Sequence, residues 1–144
     1  MDRVPPRTGL QRGVTIATRI VYGLFGAFYL ILGVTVLLLG TGVLPVWLHD
    51  RIFEIGHHTP DTMHLIQETG TLWVLVGMLL IWFTRQVDRS ATFHWAFTFF
   101  LALDGWVHWF TAYGTFENEP RAIINAIPFA VFLVLGLLRR TARV

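Results

Sequence analysis

The sequence predicts an all-α fold, a four-transmembrane-helix bundle with a short external amphipathic segment. Three observations predict it. The chain is 54% hydrophobic and only 14% charged, where an ordinary soluble domain carries about a quarter charged residues. Its apolar residues gather into runs near the ~20 residues that a membrane crossing takes. Its eleven basic residues are all arginine, and they sit at the edges of those runs. At 144 residues the chain makes a single integral membrane domain, residues 1–144.

The first span is expected at residues 20–39, from Ile20 to Leu39, a stretch without charge. A basic leader, Met1 to Arg19, precedes it. The apolar run exceeds the ~7–15 residues of a signal-peptide core, so an uncleaved span is expected. Between Pro45 and His64 the apolar Trp47, Leu48, Ile52, Phe53 and Ile55 alternate with His49, Asp50, Arg51 and Glu54 at helical spacing. That pattern predicts a short amphipathic helix lying in the outer interface.

The second span needs its polar start to be long enough. Thr71 to Phe83 is too short to cross, but Thr59-Pro60-Asp61 reads as a helix start, with Thr59 as N-cap and Pro60 in the first turn. Counting back from Thr84 gives a span over 65–84 that includes Gln67 and Glu68. The third span is expected at 92–110 and carries His94, Asp104 and His108. The fourth, at 122–138, is opened by Pro120 and contains Asn125 and Pro128.

Arginines orient the bundle. Nine fall on one side, before the first span, after the second and after the fourth, against only Arg51 and Arg121 on the other. The positive-inside rule then puts both termini in the cytoplasm. The expected location is a bacterial inner membrane, with the lipid bilayer and other membrane subunits as partners. The same distribution excludes a nucleic-acid partner, because the basic residues form no single patch. Cysteine is absent, which removes disulfides, thiolate metal sites and cysteine nucleophiles.

Ionisable groups inside the hydrocarbon layer are costly, so each is a candidate site. Glu68, Asp104 and Asn125 all fall in the expected outer half, and His108 lies one turn from Asp104 at i, i+4. His64 and Glu68 share that spacing. A metal ion held by His64, Glu68, Asp104 and His108 is one reading. Another is a polar network of Asp104, His108 and Asn125 that holds helices in register. A proton- or quinone-linked role for Asp104 and Glu68 is a third. His94 and His108 are also candidate axial ligands to haem or a (bacterio)chlorophyll, since their span is crowded with aromatic residues. Gly23, Ala27 and Gly33 form a small-residue stripe on the first span, suited to close helix packing.

Arg19 opening the first span, the glycines Gly23, Gly26 and Gly33, and the QETGTLWVLVGMLLIW segment resemble the DoxX-like group of small bacterial four-helix membrane proteins, over residues 16 to 83. The resemblance implies an inner-membrane protein, in some cases an auxiliary partner of quinone-linked redox systems. No GxSxG, Walker A or GxGxxG motif is present. The expectation is therefore a non-catalytic, auxiliary subunit that packs within a larger inner-membrane, energy-transducing complex. The alternative is a metal-dependent or quinone-linked redox protein with a His/carboxylate site at the outer face.

Overall fold

The computed structural model of the chain describes residues 8–43, 60–106 and 120–142. Among them are four α-helices and no strand: α1 (Gly9–Gly40), α2 (Pro60–Thr84), α3 (Ala91–Trp106) and α4 (Pro120–Ala142), with a short 3-10 turn at Val87–Arg89. The external amphipathic helix expected between Pro45 and His64 falls mostly outside the described residues. So do His108 and the last residues of the expected third span.

Each helix has local causes. α1 begins well before Ile20, because Thr8 and Gln11 form a capping box. The Thr8 amide donates to Gln11 Oε1 at 2.9 Å, and the Gln11 amide donates to Thr8 Oγ1 at 3.3 Å. It ends where Gly42 takes the left-handed conformation at φ 74°, so that the Gly42 amide reaches the Leu39 carbonyl at 3.0 Å. α2 starts at Pro60, whose missing amide costs nothing in a first turn. Along these helices Thr15, Thr18, Thr35, Thr69, Thr71 and Thr98 each donate the hydroxyl to the carbonyl four residues back. A hydroxyl satisfied by its own helix needs no water, which suits an apolar solvent.

Among the described residues, two helices are long and apolar enough to cross a membrane: α1, and α2 over Met63–Thr84. In each, only 22% of the most apolar window is buried within the protein, so their hydrophobic surface faces outward. Leu24, Phe28 and Ile31 on α1, and Leu75, Met78 and Trp82 on α2, are more than half exposed.

The chain divides into two compact units. One, Ile20–Arg85, is the antiparallel pair of α1 and α2, and glycine sets how closely they approach. Gly26 lies against Gly77 and Ile81, Gly33 against Gly70 and Val74, and Gly40 against Met63 and Gln67. A Cβ on Gly33 would stand 2.5 Å from the Val74 nitrogen, and one on Gly77 2.6 Å from the Leu30 nitrogen. Backbone therefore touches backbone, and dispersion and dipole contacts act at their shortest range. The seven-residue repeat of these glycines keeps one face of α1 on one face of α2 along the pair. The stripe expected from Gly23, Ala27 and Gly33 is corrected here. Nothing lies within 4 Å of a Cβ on Gly23, Ala27 is exposed, and only Gly33 belongs to the contact face.

Gln67 ties the end of this seam. Its Nε2 donates to the Gly40 carbonyl at 2.8 Å, one of the last carbonyls of α1, which no amide of the helix can reach. Gln67→Ala should lower thermal stability by about 1 kcal/mol, measured as a shift of the unfolding midpoint in detergent, with the helix content unchanged.

The other unit, Met1–Arg19 with Gln86–Val144, contains α3 and α4 packed antiparallel. Its apolar core is Phe97 and Leu101 on α3 with Phe132 and Leu135 on α4, each 5% exposed or less. The Phe97 and Phe132 rings meet edge to face at 4.9 Å and 72°, a geometry that aligns the positive ring edge with the negative face.

Candidate functional site

Two polar clusters stand out among the described residues, one in each unit. In the α1–α2 unit, α2 carries His64 and Glu68 on one face at i, i+4. Their side chains meet at 3.1 Å and are 72% and 62% exposed, so the pair is solvated and weakly coupled. Beside it runs a groove of about 660 Å³ lined by Leu37, Thr41, His64, Gln67, Glu68, Thr71, Leu72 and Leu75. One end of that groove is polar and the other is aliphatic.

In the α3–α4 unit a single carbonyl organises the cluster. The Val87 oxygen accepts from the Ser90 amide at 3.1 Å, from Ser90 Oγ at 2.7 Å and from Arg139 Nη2 at 2.7 Å. Arg139 is 3% exposed and Ser90 is fully buried. The 3-10 turn thus joins the start of α3 to the end of α4 through one charged hydrogen bond. One turn into α3, His94 is 1% exposed, and its Nε2 lies 2.9 Å from the Phe132 carbonyl. A nitrogen at that distance from a carbonyl oxygen carries the proton and donates. Its ring stacks on Phe132 at 5.5 Å. Gly136 gives the imidazole its room, since a Cβ there would stand 2.8 Å from His94 Nε2. Ala91, His94, Trp95, Gly136, Arg139 and Arg140 line a small cavity of about 180 Å³ beside this cluster.

The residues expected from the sequence separate as follows. His64 and Glu68 do come together, as an exposed pair. Asp104 is half-buried on α3 and has interactions within the structure. His108 lies outside the described residues, and Asn125 falls within α4 at a position where only the backbone is described. Among the described residues, no group of three or more His, Asp or Glu side chains is placed to hold a metal ion. His94, a candidate axial ligand, donates its Nε2 proton to the Phe132 carbonyl, so the lone pair of the neutral ring sits on Nδ1. Sequence reasoning counted Arg139 only as a charge that sets orientation, and it passed over Gly136. The available signal was a glycine inside the apolar LVLGLLRR run, one turn before the first arginine.

The chain matches no known family model, no curated protein and no solved structure.

Proposed function

We propose that this chain is a small four-span protein of a bacterial inner membrane, akin to the DoxX-like group, with both termini in the cytoplasm. In this reading it acts as a non-catalytic, auxiliary subunit within a larger energy-transducing complex. The observation that carries the reading is how polar and apolar groups are divided. The half-buried Gln67 and the buried His94 and Arg139 bond to main-chain carbonyls of other elements and tie those elements together, while the threonine hydroxyls are satisfied within their own helices. Large apolar side chains face outward on every helix, among them Phe28, Met78, Phe99 and Val134, each more than half exposed. Polar groups that serve as internal ties, under an apolar exterior, suit a packing subunit surrounded by lipid and neighbouring helices. α3 and α4 complete the four spans in this proposal, over about 92–110 and 122–138.

Two measurements test it. A reporter fused after Arg143 should be active only in a cytoplasmic assay, and one inserted at His57 only outside; the opposite pattern would reverse the orientation. Affinity purification of tagged protein in a mild detergent should recover it at a mass several times its own 16.5 kDa, with stoichiometric membrane partners. Recovery as a bare monomer would remove the subunit role.

The α1–α2 groove favours a second reading, a quinone-linked redox protein. The His64–Glu68 pair stands at its polar end, and Leu37, Leu72 and Leu75 line its apolar one, a combination matched to a ring with polar oxygens on an isoprenoid tail. Loss of a quinone-dependent activity in Glu68→Gln, with assembly intact, would decide for it.

A further inference from the structure

From the cavity at the start of α3 and the end of α4 we infer a binding site for a phosphate-bearing anion, the headgroup of an acidic phospholipid. Three features of the cavity select this chemistry. Its charged lining is wholly cationic, Arg139 and Arg140, with the His94 ring beside them. Arg139 is held in place by the Val87 carbonyl, so its guanidinium is ordered before any ligand arrives, and little side-chain entropy is lost on binding. The third feature is Ala91, the first residue of α3, which puts the positive end of that helix at the cavity wall. The acid nearest in sequence to Ala91 is Asp88 on the 3-10 turn, one carboxylate to the three guanidinium groups of Arg89, Arg139 and Arg140, while Asp104 lies at the far end of α3. The balance therefore stays cationic.

Size narrows the ligand further. At about 180 Å³ the cavity is smaller than the ~300–1,000 Å³ of pockets that enclose drug-sized molecules. A nucleotide or a haem is too large for it, whereas a phosphate with its ester carbons fits. Gly136 preserves this space, because a side chain there would run into His94 Nε2 at 2.8 Å and Trp95 at 2.9 Å. Trp95 lines the mouth and is 39% exposed. An indole in that position supplies the amphipathic surface on which glycerol and the first methylenes of an acyl chain rest. Basic pockets between spans on the cytoplasmic side are well suited to anionic headgroups, because the leaflet supplies the ligand at high local concentration.

The inference rests on the chain being a membrane protein, and the two fail separately. Recovery from cells in the soluble fraction, without detergent, would remove the membrane reading. The site is tested on full-length protein extracted in a non-ionic detergent, by following the unfolding midpoint as dioleoyl phosphatidylglycerol, dioleoyl phosphatidylcholine or inorganic phosphate is added. Phosphatidylglycerol should raise the midpoint more than phosphatidylcholine does. If inorganic phosphate alone gives the same rise, the source is a free anion and the shared chemistry stands. Arg140→Ala suits the test because Arg140 is exposed. It should weaken the apparent phosphatidylglycerol affinity roughly fivefold, while Arg12→Ala, an exposed arginine on α1, should leave it unchanged. Equal responses to the two lipids with none to phosphate would overturn the inference, and so would an undiminished response in Arg140→Ala.

Discussion

Replacing Gly33 with leucine should unfold the α1–α2 pair or prevent it from forming. Even the first carbon of the new side chain would stand 2.5 Å from the Val74 nitrogen and 2.8 Å from the Gly70 carbonyl oxygen. Both obstacles are backbone, so no rotamer change relieves the clash and the helices must separate. Separation at one glycine also opens the contacts at Gly26 and Gly40, since all three lie on one face of a stiff helix. The expected loss is about 3 kcal/mol or more, a large share of the ~5–15 kcal/mol that holds most proteins folded. It is read as loss of the monodisperse peak in fluorescence-detected size exclusion. Gly23→Ala supplies the contrast on the same helix. With nothing within 4 Å of its Cβ, it should be neutral or slightly stabilising, because alanine favours helix over glycine. A comparable loss from both substitutions would show that the seam is not what holds the pair.

Arg139→Ala is the second change with a large expected effect. It removes a donor 2.7 Å from the Val87 carbonyl at a position 3% exposed, and it empties the space that the guanidinium fills. Hydrogen bonds to charged groups contribute about 1.5–3 kcal/mol, so a loss of about 2–3 kcal/mol is expected, measured by thermal unfolding in detergent. Arg139→Lys should recover only part of it, because an ammonium cannot reproduce the geometry of the planar fork. The neighbouring Arg140→Ala, at an exposed position, should cost no more than about 0.5 kcal/mol in the absence of lipid. Two adjacent arginines of the same charge thus differ in effect because one is an internal tie and the other faces outward.

Much of the helical layout was legible because its signals are local. Pro60 opens α2 and Pro120 opens α4, where a proline marks a first turn. The run from Leu65 to Thr84 lies within one helix. The early start of α1 has a local signal too, Thr8 and Gln11 at capping-box spacing, which an apolar run beginning at Ile20 does not register. The contact face of α1 was harder to read. Gly23, Gly26 and Gly33 are equal in sequence, and only the glycines of another helix, Gly70 and Gly77, decide which of them are needed. Pairing across helices is not a property of either helix alone. His94 illustrates the same limit. Its aromatic surroundings were legible, but its hydrogen-bond partner is a main-chain oxygen on α4, which no side-chain pattern announces.

The glycine contacts between α1 and α2 also bear on permeation. Where the nitrogen of one helix lies within a methyl group's reach of the other helix's backbone, no file of water molecules has room to form. Water, an ion or a proton is therefore denied a path along that seam. Opening one would require the two helices to part, at the cost of the contacts that make them a unit. The pair is a closed wall along its glycines, and water is kept to its outer faces.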